Sequence, residues 1–314
     1  MENNVSRQKI TVVGAGNVGA ATAHIAAQRN LGDVVVVDIV KGLAEGKALD
    51  MAQMSGVYPF HGQVCGTTDW AATANSDVVI ITSGVPRKPG MSRDDLLATN
   101  AKIVKSVTEQ VVKYSPNSFI IVVCNPLDVM VDVAGQVSGF AKNRVMGMAG
   151  VLDSARFAYF VAQELKVSVG DVTGVLMGGH GDDMVPLPRY TSVAGIPLPE
   201  LMDAATIQRL VDRTRNGGIE IVNLLGYSAY YAPAAGAVRM AEAILQDKKA
   251  VLSCCAWCDA QYRIGGAYVG VPVILGKNGV EKVIELKLTD EEQQMLDASV
   301  GRVKALVAKV RDMI

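Results

Sequence analysis

The sequence predicts an α/β protein, a doubly wound parallel sheet followed by a mixed α+β half. Three observations carry this reading: apolar runs that do not alternate, a glycine turn joining the first run to a helix, and a change of pattern near Met148. The runs VVVV, VVIIT and FIIVV are continuous because parallel strands covered on both faces have no wet side.

The elements follow in order. Lys9 to Val13 is a β-branched strand, and an alanine-rich helix runs from the glycine turn to about Asn30. Val34 to Val37 forms a second strand that ends on Asp38, with a helical pattern through Met54, so the unit reads βαβα. Asp77 to Thr82 and Phe119 to Val123 are two more strands. Beyond Met148 the sequence predicts a helix from Ser154 to Leu165, strands at Asp171 to Met177 and Lys249 to Ala256, and helical segments over Leu201 to Leu225. Thr289, with Glu292 three positions on, is a capping box that starts a last helix through Val310. The chain thus divides into residues 1–148 and 149–314, the first expected to bind a nucleotide and the second a substrate.

With 314 residues the chain exceeds what one core usually supports, which agrees with two units. Half the residues are hydrophobic and the net charge is -1, which excludes disorder and a chain-wide field for nucleic acid or anionic membrane. The cysteines, five in number with Cys254, Cys255 and Cys258 crowded together, are not a secreted disulfide framework. With a polar start and no long apolar run, the expected location is the cytoplasm. The three crowded cysteines lie in an apolar strand pattern and lack a second ligand pair, so they read as buried structural residues and no metal is expected.

Glycines at this spacing are a weak signal alone, and their context makes them specific. Gly14, Ala15, Gly16, Asn17, Val18 and Gly19 follow a strand and open a helix, and Asp38 closes the next strand. Gly14 permits the tight turn, Gly16 lets the backbone approach a pyrophosphate, and Gly19 lets helix pack on strand. The diphosphate then meets the positive end of the helix dipole. Asp38 accepts hydrogen bonds from ribose hydroxyls and repels a 2′-phosphate, so the expected cofactor is NAD and the first half is of Rossmann type. The stretch from Gly42 to Lys47 is no phosphate loop, since its glycines are too close and Ala48 stands where a hydroxyl is required.

Oxidising an alcohol with such a cofactor needs a carrier for the hydroxyl proton. Histidine serves near neutral pH, and the candidates are His24, His61 and His180. His24 on the first helix and His61 in a polar stretch read as surface or structural residues. His180 follows an apolar strand within Gly178-Gly179-His180-Gly181-Asp182, where small neighbours let an imidazole reach a cleft. Spacing alone leaves it open between a structural and a catalytic role.

The segments GAGNVG, VPRKPGMSR, CNPLD, LDSARF and GGHGD resemble, in that order and nearly end to end, the lactate/malate dehydrogenase family. The resemblance implies that His180 is the general acid/base and that Asp153 hydrogen-bonds and orients it. It implies that Arg156, one helical turn beyond Asp153, grips the substrate's C1 carboxylate, and that Asn125 contacts the substrate oxygen and the nicotinamide end. Arg93 becomes the loop arginine that polarises the ketone, on a lid hinged at Pro86, Pro89 and Gly90. Asn100, Val123 and Cys124 join Asn125 in the implied cofactor site. By residue type alone the arginines would read as solvated surface charges.

Arg87 occupies the loop position where lactate enzymes of the family carry Gln. The implied substrate pair is therefore (S)-malate and oxaloacetate, whose second carboxylate an arginine would hold. A dehydrogenase for lactate or another 2-hydroxy acid is the nearest competing reading, and a non-catalytic nucleotide-binding protein is the competitor from another class. A short-chain reductase is excluded, because none of the tyrosines is followed four residues later by lysine. The resemblance also implies a homo-oligomer, dimer or tetramer.

Overall fold

The computed structural model describes residues 7–85 and 92–311, the side chain of Arg93 excepted. The amino-terminal half contains β1 (Lys9–Val13), α1 (Asn17–Gln28), β2 (Asp33–Val37), α2 (Leu43–Met54), β3 (Val64–Thr67) and β4 (Val78–Ile81). It continues through α3 (Arg93–Tyr114), β5 (Phe119–Val122), α4 (Leu127–Ser138) and β6 (Val145–Gly147). These six strands are parallel and lie in the order β3-β2-β1-β4-β5-β6, the doubly wound arrangement whose crevice opens between the carboxyl ends of β1 and β4.

Strand residues alternate between faces, and both faces are covered. Ile10, Val12, Val34, Val36, Val78 and Ile80 pack into one core with the alanines of α1. Val13, Val37, Val79 and Ile81 pack into another with Leu97 and Ala101 of α3 and Met130 of α4. This two-sided burial is why the runs contain no polar alternation.

The second half holds α5 (Ala149–Leu165), β7 (Val172–Thr173), β8 (Leu176–Gly178), β9 (Met184–Pro186), β10 (Ser192–Val193) and β11 (Ile196–Pro197). After these come α6 (Leu198–Leu201), α7 (Ala204–Leu225), α8 (Tyr231–Leu245), β12 (Ala250–Cys258), β13 (Ala267–Gly276), β14 (Gly279–Val283) and α9 (Asp290–Arg311). The large sheet does not stop at β6. It continues antiparallel through β12, β13, β8 and β9, the join being a single pairing of Cys255 with Gly147.

Four differences from the sequence reading have physical reasons. The strand expected over Asp171 to Met177 is two, β7 in a small separate sheet and β8 in the large one. The break falls at Gly174, where a Cβ would come within 2.6 Å of the Ser154 carbonyl oxygen. The helix expected from Ser154 begins at Ala149, because the small residues before it also pack. Leu201 to Leu225 divides at Asp203, whose side chain accepts the Thr206 N–H and starts α7 afresh. The longest strand, β13, has no counterpart in the sequence reading, since Pro272 reads as a breaker there. In α9 the capping box forms as expected: Glu292 N–H donates to Thr289 Oγ1 and Thr289 N–H to Glu292 Oε2.

Candidate active site

At the end of β1, Gly14 takes φ +100°, and Gly19 sits so close that a Cβ would lie 1.8 Å from the Gly14 carbonyl oxygen. Gly16 has open space where its Cβ would be. It caps α1, whose first turn has no side-chain cap and no acidic residue. Unpaired helical N–H groups beside an open glycine are the cradle a pyrophosphate fills. Asp38, just past β2, accepts the Ala15 N–H at 2.6 Å and the Val40 N–H at 2.9 Å. Its carboxylate is thereby fixed at the mouth of the crevice. Thr82, which the sequence reading left unassigned, donates its hydroxyl to the Val13 carbonyl at 2.9 Å and ties β4 to this turn. These residues fit an NAD adenosine diphosphate.

Asn100 of α3 is buried and spends its amide on backbone: it accepts the Val85 N–H at 2.8 Å and donates to the Asn125 carbonyl at 2.7 Å. It staples the segment after β4 to the segment after β5. Val123 and Cys124 are buried beneath that staple, and Asn125 is exposed above it. Arg87, with Pro86, Pro89 and Gly90, lies outside the described residues. Arg93 is the first residue of α3, whose N-terminus carries a capping box between Ser92 and Asp95.

The chemical end is assembled from α5 and the turn after β8. Asp153 and Arg156 lie one turn apart on α5, and His180 follows β8 between Gly178 at φ +79° and Gly181 at φ +86°. His180 Nδ1 is 2.8 Å from Asp153 Oδ2, with Asp153 almost fully buried. Arg156 Nη1 is 3.8 Å from Asp153 Oδ1, which among the described residues has no hydrogen-bond donor of its own. The guanidinium is therefore near the carboxylate and not clamped by it. Gly217 of α7 leaves room for this side chain, since a Cβ there would stand 3.3 Å from Arg156 Cδ.

Burial pushes the His180 ring toward its neutral form, but the charge and hydrogen bond of Asp153, joined by the charge of Asp128, outweigh it and raise its pKa. Burial lowers the Arg156 pKa, and the neighbouring Asp153 opposes that. A mostly apolar cavity of about 310 Å³ adjoins Arg156 between α5 and α7, lined by Leu152, Phe160 and Ile221. A second of about 300 Å³ lies beside the first turn of α1. His180 lines neither of them.

Asp128 is the residue the sequence reading missed. It lies in the first turn of α4 and accepts the main-chain N–H of His180 at 2.9 Å. The available signal was a pair of acids, Asp128 and Asp132, four apart in an otherwise apolar helix, where each is buried and so needs a partner. Cys254, Cys255 and Cys258 are buried in β12, and the first two join cores on opposite faces of the sheet. Burial raises the Cys254 and Cys258 thiols to about 12.

A dinucleotide cradle beside a buried His–Asp pair with an arginine at hand defines a nicotinamide-dependent oxidoreductase. Residues 8–147 match the model of the lactate/malate dehydrogenase NAD binding domain, and residues 150–314 that of the family's alpha/beta C-terminal domain. The chain belongs to the lactate/malate dehydrogenase family. It is 56% identical over 311 residues to a malate dehydrogenase of Rhodopirellula baltica, covering 98% of this chain and 99% of that one. The solved malate dehydrogenase of Salinibacter ruber superposes with a TM-score of 0.94 at 53% identity, 98% of each chain being covered. A lactate dehydrogenase of Cryptosporidium parvum, solved with lactic acid and nicotinamide adenine dinucleotide, reaches 0.95 at 46% identity over 98% of this chain and 99% of that one. Shape therefore does not separate the two substrates.

The two glycines separate binding from folding. Gly16→Val should keep the native melting temperature while weakening NADH binding by at least about tenfold, because its side chain enters the pyrophosphate space. Gly19→Val should lower the melting temperature, because its side chain meets backbone. NADH fluorescence titration and thermal melts measure the two effects, and equal melting temperatures for both variants would contradict this assignment.

Proposed function

We propose that the protein is an NAD-dependent malate dehydrogenase that interconverts (S)-malate and oxaloacetate. The observation that carries the chemical part is the 2.8 Å contact between His180 Nδ1 and Asp153. With Asp153 on Nδ1, the Nε2 of His180 is left to accept the malate hydroxyl proton or to donate it to the oxaloacetate ketone. Asp153 holds the ring in that tautomer and stabilises the imidazolium. Arg156 receives the C1 carboxylate in a bidentate pair, Asn125 holds the substrate oxygen, and Arg93 polarises the ketone. Gly14, Gly16, Gly19 and Asp38 hold the cofactor, with Ala15, Asn17 and Val18 in the same turn and Asn100, Val123 and Cys124 toward its nicotinamide end. When bound, the nicotinamide takes or gives the hydride.

The malate part rests on Arg87 and on the names of the relatives. Oxaloacetate has a carboxylate where pyruvate has a methyl group. A charge-assisted bond in a closed site contributes about 1.5–3 kcal/mol, and leaving the arginine unpaired costs about as much again. Together these give a preference of about 10²–10⁴.

Cytoplasmic location is supported by five free cysteines. Among the described residues no helix is long and apolar enough to cross a membrane. A homo-oligomer is supported by apolar side chains exposed on α5, α7 and α8, among them Tyr159, Leu224 and Tyr231.

Two outcomes test the reading. NADH oxidation by native protein should favour oxaloacetate over pyruvate by about 10²–10⁴ in kcat/KM, and Arg87→Gln should remove most of that preference. Full discrimination by the variant would refute Arg87 as the selector. Because the His180 pKa is raised, kcat/KM for oxaloacetate should fall as pH rises through a value above the ~6.5 of free imidazole, and kcat/KM for malate should rise through the same value. A break below that pH in both directions would contradict the assignment of His180.

A further inference from the structure

The proposed proton carrier touches two aspartates, and the chemistry described so far uses one. Asp128 lies beneath His180, is almost wholly buried, and accepts the His180 main-chain N–H through Oδ2 at 2.9 Å. Among the described residues its other oxygen, Oδ1, is buried without any N–H or O–H donor. Burial raises the Asp128 pKa, while the His180 N–H, the charge of a protonated His180 and the Cys255 thiol of β12 oppose that and favour the ionised carboxyl; the same sulfur contact adds to burial in disfavouring the Cys255 thiolate. Cys255 is itself held opposite Gly147, where a Cβ on the glycine would come within 3.0 Å of the cysteine Cβ. It therefore stands at the single pairing that joins the two halves of the sheet.

The loop carrying His180 is anchored at three points. Gly179 N–H donates to Ser299 Oγ of α9 at 2.8 Å, and Asp183 is paired with Arg302 of the same helix. The third anchor is the Asp128 contact, which comes from α4, three residues beyond Asn125. It links the end of β5 directly to the proton carrier. A neutral side chain would satisfy one N–H as well. A buried carboxyl lacking a full set of donors costs several kcal/mol to keep charged, and this points to a use for its charge.

We propose that Asp128 is a positioning residue for the reaction, whose charge, supported by the Cys255 thiol, adds to that of Asp153 in stabilising the protonated His180. The proposal rests on His180 being the proton carrier. Other charged groups face the pair without replacing this one. On α5, Asp153 attracts the imidazolium and Arg156 repels it. On the loop itself stand Asp182 and Asp183, the latter neutralised by Arg302. On α4, Asp132 sits a turn further along and is answered by Arg311 and Lys142.

The test replaces Asp128 with Asn, which can still accept the His180 N–H but carries no charge. The pH at which oxaloacetate reduction declines should move down by about one unit, as should the His180 ring titration followed by NMR among the three histidine signals. Cys255→Ala should move both in the same direction by less, and Cys255→Ser, which keeps a donor, should restore them. These cysteine variants keep the proposal testable if Asp128→Asn does not fold. Unchanged titration in Asp128→Asn, or an unshifted Cys255→Ala, would overturn it. A ring titration that moves while the kinetic break stays fixed would instead refute His180 as the proton carrier.

Discussion

The hydrogen bond between His180 and Asp153 is the contact around which the rest of the structure is arranged. A buried imidazole by itself favours its neutral form, and an exposed one would be an undirected base. Setting an almost fully buried carboxylate 2.8 Å from Nδ1 reverses the effect of burial and fixes which nitrogen faces the substrate. That pairing needs two elements far apart in sequence to meet within a few tenths of an ångström. Asp153 comes from the second turn of α5, and His180 from the turn after β8.

The fold meets this need by running one sheet through both halves. The parallel strands carry the cofactor cradle at their carboxyl ends, and β6 leads straight into α5. Beyond β6 the antiparallel strands bring β8 and the His180 turn back toward the same crevice. Close backbone approaches make the fit tight: a Cβ on Gly270 of β13 would lie 2.4 Å from the Gly178 carbonyl oxygen. The CNPLD segment then bridges the two chemistries. Its Asn125 carbonyl is held by Asn100 at the cofactor end, and its Asp128 holds His180 at the other. The residues in between are too few to let one end move without the other.

Much of this was legible in the sequence because local chemistry dictates it. Gly14, Gly16, Gly19 and Asp38 need no tertiary information, since a strand, a tight turn, a helix start and a strand end define their places. The Thr289 and Glu292 capping box is equally local. Strand β13 was hidden because Pro272 argues against a strand unless the neighbours are known, and β6, three residues long, has too few residues to show a period. The partnership of His180 with Asp153 is a contact across 27 positions, so motif resemblance and not residue spacing pointed to it. The role of Asp128 and the contact of Cys255 with it were hidden for the same reason. The spacing of Asp128 with Asp132, or of Cys255 with its neighbouring cysteines, does not name their partners, and the relation between them exists only once α4 and β12 are brought together.

The most direct test of the account replaces Asp153 with Asn and compares single-turnover oxaloacetate reduction with NADH binding. The amide preserves size but offers the wrong group to Nδ1. The expected result is a loss of about 10³–10⁴ in rate with NADH affinity unchanged within about twofold. A variant that reduces oxaloacetate within about tenfold of the native rate would contradict the claim that these two residues act as one unit.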